Sequence, residues 1–336
     1  MIRRLIAPAA VAGVLVLVLV ALAGSAAAQT PSGPAGTSTP TTPPPAEARL
    51  AIKVPSGIVD QHVRWFLTGD KLLVKGKIYP YVAGQKVVIE LHKSSGELVG
   101  QHTVKVEKGE GTAGKFQHRF RIKDDGRYVV VAQHHVTPEQ KAGTSGKQKF
   151  RSIPGRVTGY ESTRLLQIAL NRLAYVSPVN GHLDEATRRA VLAFRKVNWY
   201  HHTGSPTPTV FRKVFNGRGG FVLRYQHPSM HVEGDLSRQV LVLADNGHPV
   251  QIYTMSSGKP STPTVRGKFR FYRRQPGTNA HGMVWSVYFH GGYAVHGYPS
   301  VPPTYPASHG CIRVPIPDSH RIYSSVRLGE TIFVFK

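Results

Sequence analysis

The chain has one cysteine, Cys311, in the run Ser308-His309-Gly310-Cys311-Ile312-Arg313-Val314, fifteen positions after His296 in Val295-His296-Gly297. A cysteine attacks as its thiolate, and a neighbouring histidine can take the proton. The glycine immediately before it lets a substrate carbonyl approach the backbone closely. This set suits acyl transfer. A free cysteine is also, and more commonly, a small buried hydrophobe. Against that stands the cost of an idle thiol in an oxidising compartment. The Cys and His pair alone leaves both readings open.

Other chemistry is harder to build from these residues. Seventeen histidines invite a metal site, but the adjacent pairs His134-His135 and His201-His202 point apart on a strand and are not neighbours on a helix face. No His-Glu-x-x-His occurs, and His281, His290, His296 and His309 lack carboxylates at metal-ligand spacing. A single cysteine excludes an intramolecular disulfide and any Cys-rich zinc or iron–sulfur site. No metal and no cofactor is expected.

The charge points to a polyanionic surrounding. Lys and Arg number 43 against 18 Asp and Glu, a formal net charge of +25. The excess is spread over the chain, +9 in residues 46–155, +7 in 156–220 and +7 in 221–336. A groove-reading element would gather it on one arm or helix face, so nucleic acid is not the expected partner. A diffuse positive surface suits an anionic cell wall through long-range attraction.

The N-terminus supplies the compartment. Arg3 and Arg4 precede an apolar run from Leu5 to about Ala23, and Gly24-Ser25-Ala26-Ala27-Ala28 ends in an A-x-A pattern. This reads as a signal peptide over 1–28, cut after Ala28. The competing reading, an uncleaved anchor, would be the chain's one membrane contact. Export to the periplasm or cell wall is expected. Residues 29–46, rich in Pro, Thr and Ser, read as a stiff extended tether.

At 336 residues two or three domains are expected. Residues 47–155 carry short alternating runs, among them Lys71–Gly76, Lys86–Leu91, Phe116–Ile122 and Arg127–Ala132, which predict an antiparallel β-sandwich. Residues 156–205 change period: Leu166, Leu170 and Leu173, then Ala186, Ala190, Val191, Phe194 and Val197 after a candidate cap at Asp184, predict helices joined through Asn180-Gly181. Pro206-Thr207-Pro208 and Gly217-Arg218-Gly219-Gly220 read as the exit from that module. Residues 221–336 return to strands, with Asp245-Asn246-Gly247 as a hairpin turn. Runs at Phe269–Tyr272, Val284–Phe289, Tyr293–Val295 and Thr331–Phe335 complete a mostly-β segment with little helix.

Three resemblances follow from these residues. The sandwich, with Gly76-Lys77-Ile78-Tyr79-Pro80 and Gly126-Arg127-Tyr128, loosely resembles bacterial immunoglobulin-like modules. Leu166-Gln167, Leu170, Leu173, Asn180-Gly181, Asp184, Thr187, Ala190-Val191 and Phe194 resemble the small three-helix peptidoglycan-binding module. The chain departs from it at Asn180, usually acidic, and at Arg195, usually Gln. The alternative for this segment is a helical hairpin that only packs between its neighbours.

His296-Gly297, ten intervening residues, and Ser308-His309-Gly310-Cys311-Ile312-Arg313 resemble the active-site pattern of the L,D-transpeptidase catalytic domain. Upstream, Asp235–Gln239, Ser256-Ser257-Gly258-Lys259, Thr262-Pro263-Thr264 and Gly267-Lys268-Phe269 follow in family order. The resemblance implies Cys311 as nucleophile, His296 as its base and the Gly297 carbonyl as the group orienting the imidazole. It implies N–H groups around Gly310 and Cys311 as an oxyanion hole, with Arg313, His309 and Ser308 around the substrate. The implied substrate is a peptidoglycan tetrapeptide stem, carried through a thioester to a 3→3 cross-link. Water or a protein amine as acceptor would make the enzyme an L,D-carboxypeptidase or an anchoring transpeptidase. A catalytically inactive wall-binding protein is the further alternative.

Overall fold

Alternation of apolar and polar residues sends the first hundred or so described positions into strands, because period-two side chains bury one face of a sheet. The computed structural model describes residues 44–336. The expected signal peptide at 1–28 and most of the tether at 29–46 lie outside them. The strands are β1 (Arg49–Lys53), β2 (Ile58–Asp60), β3 (Val63–Leu67), β4 (Lys71–Tyr79), β5 (Lys86–Lys93), β6 (Leu98–Lys105), β7 (Glu107–Lys108), β8 (Gly114–Arg121), β9 (Gly126–His134), β10 (Gly143–Thr144) and β11 (Gln148–Ile153). One sheet orders β1-β4-β8-β7, and the other β2-β3-β11-β9-β5-β6 with β10 on β9. Leu72, Val74 and Phe120 from the first meet Ile89, Val130 and Phe150 from the second in a shared core.

Three helices follow: α1 (Tyr160–Arg172), α2 (Glu185–Val197) and α3 (Pro208–Phe215). Asp184 caps α2 by accepting from the Thr187 N–H at 2.7 Å, which satisfies one of the orphan donors of the first turn. The helical module does not end at 205. Pro208, read from the sequence as an exit signal, opens α3 behind Thr207, because proline's missing N–H costs nothing at the first helical position. Val210, Phe211 and Val214 of α3 join Leu166, Leu170 and Phe194 in one core.

That core extends both ways. It takes in Ile58, Trp65 and Leu67 from the strands before the helices and Val240, Val242 and Ile252 from those after them. The helices are therefore buried on two sides.

The C-terminal part comprises β12 (His231–Asp235), β13 (Val240–Asp245), β14 (His248–Thr254), β15 (Gly267–Arg270), β16 (Arg273–Thr278), β17 (Val284–His290), β18 (Tyr293–Tyr298), β19 (Ile312–Pro315), α4 (Ile316–Ser325) and β20 (Thr331–Phe335). It is β-rich, with sheets β14-β13-β12-β20-β15 and β16-β17-β18-β19. Asn246 and Gly247, at φ 48° and 75°, close the β13–β14 hairpin with the positive angles that a tight turn of this twist needs. The run Phe269–Tyr272, predicted as one strand, is split between sheets. Phe271 N–H bonds the Glu330 carbonyl beside β20, and the next N–H, of Tyr272, bonds Tyr288 in β17. Consecutive donors aimed at different sheets cannot belong to one ladder. Among the described residues no helix is long and apolar enough to cross a membrane.

Candidate active site

Strands β18 and β19 lie parallel, with Val295 opposite Ile312, His296 opposite Arg313 and Gly297 opposite Val314. Side chains alternate along both, so Val295, Ile312 and Val314 turn into the core, and His296, Tyr298 and Arg313 occupy the other face. Cys311, one residue before Ile312, falls level with Ala294 on that same face. The parallel pairing thus gathers Cys311, His296 and Arg313 although fourteen residues separate His296 from Cys311 in the chain. Gly297 faces α4, where a Cβ would stand 2.6 Å from Ser319 Oγ and 2.8 Å from its Cβ. Glycine there lets the helix close against the strand that carries His296.

His296 is buried, and its Nδ1 donates to the Gly297 carbonyl at 2.9 Å. That bond sets the tautomer and leaves Nε2 as the acceptor. Burial pushes the imidazole down to about 4, the Arg313 charge adds to the shift, and the Gly297 bond opposes it. Cys311 is half-buried, and its thiol donates to the Gly292 carbonyl at 3.8 Å. Burial pushes that thiol up, while the Ala294 N–H and the Arg313 charge pull it down. Desolvation dominates at both groups, so the uncharged forms are favoured: thiol and neutral imidazole.

Arg313 is held from two sides. Its guanidinium carbon lies 3.9 Å from the Tyr298 ring centroid, and Nη1 donates to the Ala307 carbonyl at 3.3 Å. No acidic side chain pairs with it among the described residues, which leaves the rest of its fork for a ligand.

Ser308 organises the loop that enters β19. It is buried, donates to the Cys311 carbonyl at 2.5 Å and accepts from the Gly310 N–H at 3.1 Å. Gly310 sits at φ +117°, and a Cβ there would fall 2.0 Å from the Tyr293 ring; both facts require glycine. The segment from Ser256 to Lys259 backs this loop. Ser256 and Arg313 exchange backbone bonds at 2.9 Å, Ser308 N–H reaches the Ser257 carbonyl at 2.9 Å, and Lys259 N–H reaches the Ser308 carbonyl at 2.9 Å. Gln239 holds the segment in turn, accepting from the Ser257 N–H at 2.8 Å.

The structure therefore brings Cys311, His296, Gly297, Gly310, Ser308 and Arg313 to one place. His309 is set apart: it is exposed and accepts from Lys259 Nζ at 3.2 Å. Tyr298, Tyr293 and Gly292 were not anticipated. Tyr298 follows His296 by two on the same strand face, so period-two reasoning would have found it. Nothing local marks Gly292, which acts through its carbonyl. Among the described residues no group of three or more His, Cys, Asp or Glu could hold a metal ion.

The pattern residues of the helical segment have a visible task. Gln167, fully buried, donates to Asn180 Oδ1 and Thr187 Oγ1 at 2.8 Å and accepts from the Gly181 N–H at 2.8 Å. They tie α1, the Asn-Gly turn and α2 together. Arg195 binds the Ser205 and His201 carbonyls at 2.9 and 3.1 Å, bracing the loop that leads to α3.

Residues 229–334 match the family model of the L,D-transpeptidase catalytic domain, YkuD. Among solved structures the chain is similar to an L,D-transpeptidase from Xylanimonas cellulosilytica, at 30% identity over 54% of this chain and 97% of that one, with a TM-score of 0.49. It is similar to an L,D-transpeptidase from Stackebrandtia nassauensis at 18% identity, over 54% and 94%, TM-score 0.34. It is similar to an L,D-transpeptidase from Mycobacterium smegmatis at 12%, over 87% and 100%, TM-score 0.29. No curated protein matches the chain.

Proposed function

Residues 229–334 belong to the L,D-transpeptidase catalytic-domain family, and from that membership we propose that the chain is an exported, cysteine-dependent enzyme acting on peptidoglycan tetrapeptide stems. Cys311 Sγ attacks the carbonyl of the L-centre of the third stem residue. Its proton passes to His296 Nε2, the C–N bond to the terminal D-alanine breaks, and His296 returns the proton to the leaving amine. A thioester remains. An amine of a second stem attacks it, gives up its proton and restores the thiol, which forms a 3→3 cross-link.

The observation that carries this reading is the shared face of β18 and β19, with His296 turned by the Gly297 carbonyl so that its free nitrogen serves as base. Arg313, without an acidic partner, suits the substrate carboxylate through a two-pronged bond. The oxyanion site would draw on backbone N–H groups. The Gly310 N–H is engaged by Ser308 Oγ, so it contributes once the substrate oxygen displaces that hydroxyl. Ser308 then acts on substrate through the loop it shapes. The exposed His309 stands at the rim with Lys259.

Export rests on the leader pattern of residues 1–28. The helices from 160 to 215 carry the residues of a peptidoglycan-binding module, and the sandwich before them serves as an Ig-like spacer. The three parts together sit against an anionic wall.

The test is mass spectrometry of wild type and Cys311→Ala after incubation with tetrapeptide stems. Wild type should release D-alanine and gain the mass of a tripeptide stem, and the variant should do neither. Equal release by both proteins would overturn the assignment of Cys311. Absence of any adduct in wild type, with stems bound equally by both, would reduce the domain to a binding module. Adding a second stem, water alone or a protein amine identifies the acceptor.

A further inference from the structure

The outer face of the sheet β1-β4-β8 is a grid of cations. Period-two alternation puts Arg49 and Lys53 of β1, Lys71, Lys75 and Lys77 of β4, and Lys115, Arg119 and Arg121 of β8 on one side, all of them exposed. The register sets like charges directly opposite one another: Lys53 against Lys75, Lys77 against Lys115, and Lys71 against Arg121. Directly opposed like charges destabilise a sheet. Among the described residues the one acidic side chain that answers any of them is Glu107, 3.7 Å from Lys115. A groove of about 570 Å³ runs over this face, walled by Lys53, Lys75, Lys77, Lys105 and Lys115 with Glu107 at one side.

Three features say what would fill it. Neighbouring strands stand about 5 Å apart and same-face residues about 7 Å apart along a strand, so the charges form a lattice suited to an extended chain with regularly spaced anions. The groove's cations are all lysines, compact point charges that meet a phosphate without demanding the planar fit of a carboxylate fork. Between them stand Ala51 and Gln117; Leu73 continues the face and Tyr79 lies at its edge, opposite Arg49. A base-carrying polymer would want stacking platforms along its path; the groove's one aromatic, Phe116, is buried in the core, and Tyr79 stands only at the edge of the face.

We propose that the outer face of β1-β4-β8 is a binding surface for an extended phosphodiester polymer without bases, a chain of polyol phosphates, with Lys53, Lys75, Lys77 and Lys115 as its central contacts. The polymer neutralises the opposed lysine pairs that the empty sheet holds at a cost. The surface lies on the sandwich, and the proposal stands independently of the chemistry at Cys311.

The test uses the full chain and a quadruple variant, Lys53→Gln, Lys75→Gln, Lys77→Gln and Lys115→Gln, with a labelled glycerol-phosphate oligomer followed by fluorescence anisotropy across a salt series. Wild type should bind. The variant should bind at least about tenfold more weakly, and its plot of log affinity against log salt should flatten by about 0.7 for each lysine removed. In low salt the variant should melt at or above the wild-type temperature, because all four lost charges come from opposed pairs and Lys115 alone of them meets an acid, Glu107 at 3.7 Å, and its turnover of soluble stems should not change. Equal binding by the variant would overturn the proposal. So would equal or tighter wild-type binding of oligo(dT) or of polyglutamate at matched charge, or a variant that melts well below wild type in low salt.

Discussion

At the thiol two opposed effects meet, and burial wins. The Ala294 N–H and the Arg313 charge favour a thiolate at Cys311, while desolvation favours the thiol and raises it above its usual range. At His296 burial and Arg313 act together and bring the imidazole down to about 4. The resting pair is therefore uncharged near pH 7, and in the proposed mechanism the proton moves when substrate arrives. Alkylation of Cys311 by iodoacetamide, read by mass spectrometry against pH, should rise with no inflection near 6.5 and with its midpoint above the free-thiol value of about 8.5. Arg313→Met should slow alkylation at pH 8 several-fold, since it removes a charge that favours the thiolate. A midpoint below 7 would mean that the pair rests as thiolate and imidazolium. The stretch from Ser308 to Arg313 made the proposed nucleophile, Cys311, and the loop that holds it legible in advance. The uncharged resting state was not legible, because it depends on how much protein closes over His296.

Between elements, the contact that matters most for the site is a buried ammonium. Lys196, near the end of α2, is fully buried and donates to the carbonyls of Gln239 at 3.2 Å and Met255 at 2.9 Å. Met255 precedes Ser256, which exchanges backbone bonds with Arg313, so the helix grips the segment that backs the Cys311 loop. Burial pushes the Lys196 amine down to about 7. The unfolded chain keeps that proton up to its ordinary value of 10.5, so it binds more protons than the native state between the two. Native stability should therefore rise as pH climbs from 7 toward 10.5, by on the order of a few kcal/mol. Below 7 both states are protonated and the contribution is flat. In Lys196→Met that rise should vanish, as chemical denaturation at pH 7, 8.5 and 10 would register. Parallel curves for the two proteins would show that Lys196 keeps its proton throughout. From the sequence Lys196 is one more cation on a helix, since its burial arises where α2 meets two strands more than forty residues away.

Across the whole molecule the three segments clasp one another. Arg164 bonds Asp60 through two nitrogens at 2.7 and 3.0 Å, joining α1 to β2. Arg189 does the same to Asp318 at 2.9 and 3.0 Å, joining α2 to α4. With the apolar core that runs from Trp65 through Phe194 to Val242, these pairs should make residues 44–336 melt in one calorimetric transition. Breaking a clasp with Arg189→Ala should lower stability by about 1–3 kcal/mol, with that transition still single. Three resolved transitions would mean that the segments fold independently. Local patterns were sufficient for the catalytic-domain family and for most strands, because a Ser-His-Gly-Cys loop, an Asn-Gly turn and period-two runs are properties of neighbouring residues. They did not reveal α3, which Pro208, read from the sequence as an exit signal, opens instead. They also did not reveal the break at Phe271, where successive N–H groups serve different sheets. The β18–β19 register that sets His296 opposite Arg313 and near the level of Cys311, the stacking of Arg313 on Tyr298 and the burial of Lys196 are long-range facts. Each depends on which strands pair and in what register, and that is settled when the apolar faces of distant segments close over one another.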